Sequence, residues 1–437
     1  MKKVKKILIV FFIGILFVPI LQQNFNFVNI SSLSGSFHRH GNPKFKISEL
    51  LNHKFQKSYD AFINDNFGFR NIFVRIHNQL EYSLFQKSTA NDVIIGKNGY
   101  LYEEKYIKAI QGADFIGKDK IKSIVSKIKF LQDTLQKLDI NLIPVFAPSK
   151  ARFFPEFIPD NYKIDKNAKT NYDYFIKYCK KQNIKFIDFN DLFIKSKDTS
   201  KYPLYPQCGT HWSVYAFTHA ADSLRRYIEK IRNIKLNKII FTGLEISDSL
   251  RDPDCDMGKA LNLFKPPKHY PMAYPKYYFE NNTKKSRPKV LTIADSYYYG
   301  IYITRIPKFI FRYGGFWYYY KQVFPKINNK NPDISELNIY NEILKQNVIF
   351  VMNTDCNLSY FSSGFIDDAY IIFNKGINYY NQVKDSLDYE KQVMITINNI
   401  KGQKEWFNKI KNQAKQLNLD IDTVLRLNAE YMLNEKK

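Results

Sequence analysis

Two short segments carry the residue types that acyl-transfer chemistry needs. The first is Val290-Leu291-Thr292-Ile293-Ala294-Asp295-Ser296-Tyr297, with Gly300 close behind. A β-branched apolar run that turns sharply into a helix at a serine presents the hydroxyl at the carboxyl edge of a sheet. There the amides of the helix N-terminus can hold an oxyanion. The plainer reading is that Asp295 and Ser296 only cap a helix. The second segment is Gly209-Thr210-His211-Trp212-Ser213, just ahead of a helix expected to begin near Val214. The chain has seven histidines, and His211 sits among polar residues at a loop–helix junction. A lone histidine is more often structural, but opposite a strand-end serine it can act as the general base. Asn353 and Asp355 stand at the end of a further apolar run, either at the edge of a site or capping a turn. Lys150 either meets an anionic group or is a solvated loop lysine.

These residues need a scaffold, and the apolar patterning supplies one. Over 119–138, Ile121, Ile124, Val125, Ile128, Leu131, Leu135 and Leu138 recur at the 3.6-residue helical period. A buried strand is expected at 141–147, ended by Pro148. The alternation continues with a helix near 170–182, a strand at 185–188, a helix at 214–228 and a strand at 238–241. Strands at 289–294 and 348–352 flank a helix at 334–344. Strands alternating with helices at this spacing imply an α/β fold, a mainly parallel, doubly wound sheet with helices on both faces. Ahead of it, 93–102 reads as a hairpin around Lys97-Asn98-Gly99. Behind it, Trp406, Phe407, Ile410, Ala414 and Leu417 form one helical face, and Asp420 is a candidate N-cap for a last helix.

Composition bounds the compartment and the partners. Lys2, Lys3, Lys5 and Lys6 precede an apolar run from Ile7 to Leu21, and no small-x-small cleavage site follows it. A single uncleaved signal anchor is expected, with the rest of the chain outside the cytoplasm. The formal charge of +25 arises from 66 Lys and Arg against 41 Asp and Glu. The basic residues are dispersed, without the Arg-rich block or zinc-finger spacing of a nucleic-acid binder, so nucleic acid is not an expected partner. The four cysteines, Cys179, Cys208, Cys255 and Cys356, form no metal-binding pair, and neither metal nor cofactor is expected. A disulfide is permitted outside the cytoplasm, with Cys208–Cys255 the candidate pair.

Several pieces, in this order, resemble the alginate O-acetyltransferase family (AlgJ/AlgX-like). They are Asp65-Asn66-Phe67-Gly68-Phe69-Arg70, Gly96-Lys97-Asn98-Gly99-Tyr100-Leu101-Tyr102, and Val145-Phe146-Ala147-Pro148-Ser149-Lys150 with Phe154-Pro155-Glu156. The His211-Trp212 motif and the Asp295-Ser296-Tyr297 turn complete the series. The resemblance covers about residues 55–370 and implies an SGNH-hydrolase-like extracytoplasmic domain. It implies Ser296 as acetyl-accepting nucleophile and His211 as base, with Tyr297 and Asn353 at the oxyanion or site edge. In that family the residue two before the histidine is normally the triad aspartate, and here it is Gly209. A backbone carbonyl or another acid, such as Asp295 or Asp198, is therefore the candidate to orient His211 in a Ser–His dyad, and Gly209→Asp is expected to preserve or raise activity.

The implied organisation is an anchor at 1–24, a linker and helical lead-in at 25–90, the catalytic-type domain at 91–379, and a helical C-terminal extension at 380–437. The implied function is transfer of acetyl groups, received from a multi-span membrane O-acyltransferase, to hydroxyls of an envelope or exported polysaccharide. The protein would be single-pass in the inner membrane, with its main domain in the periplasm or outside the cell. A polysaccharide-binding subunit without the chemistry and a carbohydrate esterase are the competing functions. The anchor is open to direct measurement: N-terminal sequencing of membrane-associated protein should start ahead of residue 7, and a start beyond residue 20 would contradict it.

Overall fold

The computed structural model describes residues 2–35, 39–165, 167–326 and 329–435. Residues 36–38 of the expected linker and 436–437 of the expected extension lie outside the described residues. Among the described residues ten strands form, in chain order: β1 (Val93–Ile95), β2 (Leu101–Glu103), β3 (Asn141–Ala147), β4 (Ile187–Asp188), β5 (Ile239–Ser247), β6 (Met272–Phe279), β7 (Lys289–Ala294), β8 (Arg312–Tyr318), β9 (Gln322–Phe324) and β10 (Val348–Thr354). Six of them make the main sheet, in the order β4-β3-β10-β7-β8-β9. All neighbours in it run parallel except β9, which returns antiparallel along β8.

The alternation of side chains across the strands explains why helices cover both sheet faces. Val145, Ala147, Ala294, Phe350 and Met352 belong to one core, which the helix Val214–Arg232 closes with Phe217, Ala221, Leu224 and Ile228. Phe146, Ile293, Ile349 and Val351 belong to the other, closed by Ile121, Val125, Ile128 and Leu131 of the helix Lys118–Gln136. A strand whose successive residues all meet apolar partners must be buried on both sides, as parallel strands are. The helical face read over 119–138 is the buried one, except that Leu138 lies beyond the helix and is exposed.

Three expectations need correction. The segment 238–241 does not join the main sheet. It begins β5, which pairs antiparallel with β6 in a separate ribbon, and 241–244 of β5 are exposed in succession. The region 334–344 is not one helix, because a 3₁₀ turn at Ile334–Glu336 ends before the helix Ile339–Leu344 begins. Strand β8 has no counterpart among the expected strands: its run of aromatics and the Gly314-Gly315 pair obscure a period of two. Gly315 has φ +121° at a register shift against β7, a conformation suited to glycine. The 93–102 hairpin forms as read, with Val93 opposite Glu103 and Asn98 at φ 55° in its turn.

At the chain start, Lys3–Phe25 is a helix of mean hydropathy 2.5, long and apolar enough to cross a membrane. At the other end, Ile377–Gly402, Lys404–Leu417 and Ile421–Asn434 pack around Val393, Ile400, Ile410, Val424 and Leu425. Asp420 caps the last of these through the Thr423 amide.

The carboxyl end of the sheet is fastened by a buried ion pair. Arg152 Nε donates to Asp355 Oδ2 at 2.7 Å, Ser149 Oγ to the same oxygen at 3.0 Å, and Asn190 Nδ2 to Oδ1 at 3.2 Å. The contact joins the segment after β3 to the segment after β10, so Asp355 is a structural fastener and not a site-edge residue. Removing one partner strands the other charge in a dry setting. Asp355→Ala is therefore predicted to cost about 3–5 kcal/mol in urea unfolding; a change near zero would show the pair to be dispensable.

Candidate active site

Ser296 and His211 are 85 residues apart in the chain and meet at the carboxyl edge of the sheet. Ser296 Oγ lies 3.1 Å from His211 Nε2. The serine stands where β7 passes into the helix Tyr297–Ile303, with φ −61° and ψ −20°. Asp295 makes that turn rigid. Its buried carboxylate accepts from the Tyr297 amide at 3.1 Å, and from the Thr354 amide, the Thr354 hydroxyl and Asn357 Nδ2 at 2.8 Å each. The carboxylate is thus spent on joining the ends of β7 and β10, and it does not orient the histidine.

The group that meets the other ring nitrogen is Asp256, whose Oδ2 is 2.7 Å from His211 Nδ1. Its Oδ1 accepts from the Thr210 amide at 2.8 Å and the Met257 amide at 2.7 Å. Burial alone would push the Asp256 carboxyl up, but the His211 ring and the two amides outweigh it and hold it below the ordinary carboxylate range. A carboxylate at Nδ1 keeps the proton there, which leaves Nε2 free to accept from the Ser296 hydroxyl. Both ring nitrogens are therefore engaged. Asp198, exposed in the turn after Phe189–Lys195, is not the orienting acid.

The loop bearing His211 is held from several sides. Ser213 caps the helix Val214–Arg232 by accepting from the Ala216 amide. Trp212, fully buried, donates from Nε1 to the Tyr297 carbonyl at 3.1 Å, and the Tyr297 hydroxyl donates back to the Thr210 carbonyl at 2.9 Å. Thr210 Oγ1 donates to Glu103 of β2 at 2.7 Å. Lys150 is buried, contrary to both sequence readings of it. Its Nζ donates to the carbonyls of Pro206, Gln207 and Gly209 at 3.0, 2.9 and 2.6 Å. Burial pushes its ammonium down to about 7, against the pull of the Asp256 carboxylate.

Two expected oxyanion or edge residues do other work. The Tyr297 amide is turned to Asp295, and its ring packs 4.9 Å from the His211 ring, so Tyr297 backs the histidine. Asn353 accepts from the Ser362 amide at 3.0 Å on the opposite side of β10, because alternation along the strand points it away from Met352 and Thr354. Sequence reasoning missed Asp256 and Glu103. Only Asp256 left a trace, in the acidic run Asp252-Pro253-Asp254-Cys255-Asp256.

Gly209 explains why the acid is elsewhere. A Cβ there would lie 2.7 Å from Pro206 Cγ, 2.8 Å from the Pro253 carbonyl and 2.9 Å from the Asp254 carbonyl. No side chain fits, and a carboxylate would also face two carbonyl oxygens. The expected gain from Gly209→Asp is therefore reversed. The variant is predicted to lose about 1–3 kcal/mol to overpacking and to lose activity with it, measured by thermal melting and turnover; an unchanged melt would contradict the crowding.

Residues 93–286 match the family model of the SGNH hydrolase-like domain, acetyltransferase AlgX. The match includes His211 and Asp256 and stops ten residues short of Ser296. Two curated relatives carry the name "Probable alginate O-acetylase AlgJ". That of Pseudomonas putida is 20% identical over 181 residues, 41% of this chain and 45% of the relative. That of Pseudomonas aeruginosa is 23% identical over 164 residues, 38% of this chain and 40% of the relative. In each case the match spans less than half the relative's length. Among solved structures, the O-acetyltransferase domain of Pseudomonas putida AlgJ aligns with 64% of this chain and 98% of its own, at 13% identity and a TM-score of 0.42. Pseudomonas aeruginosa AlgX aligns with 63% of this chain and 67% of its own, at 13% identity and a TM-score of 0.39. The chain is thus AlgX/AlgJ-like, and the likeness to the SGNH hydrolase-like domain of AlgX spans residues 93–286.

Proposed function

We propose that this protein is a membrane-anchored O-acetyltransferase that carries acetyl groups on Ser296 to hydroxyls of an envelope or exported polysaccharide. The observation that carries this reading is the relay from Asp256 through His211 to Ser296, at 2.7 and 3.1 Å. In the first half-reaction Ser296 Oγ attacks the acetyl carbonyl while His211 Nε2 takes the hydroxyl proton. The leaving group departs with that proton, and acetyl-Ser296 remains. In the second half-reaction His211 deprotonates a sugar hydroxyl, which takes the acetyl group and frees the serine. Asp256 holds the imidazole in the required tautomer and stabilises the imidazolium formed in each half.

The curated relatives' names support acetylation of a polysaccharide, and the helix Lys3–Phe25 supports tethering at a membrane. On this reading a multi-span membrane acyltransferase delivers the acetyl group on the outer side of the inner membrane. Residues 1–24 form the anchor, 25–90 the lead-in, 91–379 the catalytic domain, and 380–437 a helical extension. Acetyl transfer from 4-nitrophenyl acetate to an oligosaccharide tests the function. Ser296→Ala and His211→Ala should each abolish transfer, and Asp256→Asn should lower turnover by about 10⁴-fold, as loss of the acid does in a serine triad. Hydrolysis without transfer would point to an esterase, and glycan binding without either to a binding subunit.

A further inference from the structure

The acid and the base reach the site on different loops, so something must hold the two loops in register. Immediately before Asp256 stands Cys255, and three residues before His211 stands Cys208. Their sulfurs lie 2.7 Å apart, with Cys208 fully buried and Cys255 nearly so. The backbone brings the same segments together: the Gly258 amide donates to the Cys208 carbonyl at 2.9 Å. Gly258 leaves room for the pair, since a Cβ on it would lie 2.5 Å from Cys255 Sγ and 3.0 Å from Cys208 Cβ. Val93, Leu101, Met257 and Leu261 pack around the sulfurs and exclude water. The other two cysteines stand apart. Cys179 is buried in the core on the opposite sheet face, and Cys356 lies beside Thr354.

We propose that Cys208 and Cys255 become a disulfide that staples the base-bearing loop to the acid-bearing loop and so fixes His211 against Asp256. This rests on the acid–base reading of those two residues given above. Closing the bond brings the sulfurs from 2.7 Å to about 2.05 Å, a shift of under an ångström. The oxidant is a disulfide-bearing thiol oxidoreductase of the extracytoplasmic space. One cysteine thiolate attacks a carrier sulfur to give a mixed disulfide. The second thiolate then attacks the protein sulfur of that mixed disulfide and releases the carrier as a dithiol. Two protons and two electrons leave with the carrier, and one S–S bond forms for the one broken. Because both sulfurs are buried in the folded chain, the exchange takes place during folding, before 255–261 packs against β2.

The full-length protein, produced in an oxidising compartment and extracted in detergent without reductant, provides the test. After acid quenching, denaturation and alkylation with N-ethylmaleimide, peptide mass spectrometry should find the Cys208 and Cys255 peptides linked, with Cys179 and Cys356 alkylated. Alkylation of all four would overturn the proposal. Wild-type protein unfolded in reductant and refolded with the thiols kept reduced should show a several-fold lower kcat at unchanged KM, and the double variant Cys208→Ser/Cys255→Ser should match this reduced wild type. In an Asp256→Asn background reductant should change nothing further, because the staple acts through that carboxylate. An equal loss on reduction in both backgrounds would overturn the positioning role. Linked protein that transfers no acetyl group would support the staple and count against the transferase reading.

Discussion

A histidine can take a proton from a serine only if its far nitrogen already holds one, and a carboxylate at that nitrogen is the usual means. In this chain the position two before His211 cannot provide it, because Gly209 lies against the Pro206 ring and the carbonyls of residues 253 and 254. The same crowding brings the 252–256 loop against the histidine loop and delivers Asp256 to Nδ1. One close approach of backbone therefore removes the acid from one place and installs it at another. The Thr210 and Met257 amides complete the exchange by fixing the second oxygen of Asp256. Those amides also explain how a recessed carboxyl stays ionised.

The remainder of the carboxyl edge serves that geometry. Lys150 places its three N–H groups on three carbonyls of the 206–209 segment, so a single side chain after β3 sets the path of the loop that carries His211. Asp295 performs the equivalent task for Ser296, joining the β7 turn to the end of β10. The reciprocal bonds between Trp212 and Tyr297 and between Tyr297 and Thr210 then lock the two motifs together. Buried polar networks of this kind stabilise only when every member is satisfied, which ties the position of His211 to the integrity of the sheet edge.

Ser296 and His211 are legible in the sequence because each sits in a local pattern, a strand-to-helix turn and a capped helix start, whose form does not depend on the remainder of the fold. The helices at 118–136 and 214–232 are legible for a similar reason, since burial on one face imposes the 3.6-residue period. Asp256 is not legible. It lies 45 residues from the histidine it serves, and only the fold decides that the 252–256 loop turns toward His211. Lys150 misleads because a lysine next to a proline-ended strand normally faces solvent, whereas the carbonyls that bury it come from more than 50 residues away. Asn353 misleads by parity alone, since the strand's period of two sends it to the wrong face of β10.

The assignment of Asp256 can be tested at the nucleophile itself, without donor or acceptor, through the rate at which an arylsulfonyl fluoride labels Ser296. Wild-type protein and Asp198→Asn should label at the same rate. Asp256→Asn should label slower by about 10⁴-fold, the loss expected when a triad acid is removed. Labelling of Asp256→Asn at the wild-type rate would mean that His211 is oriented without this carboxylate.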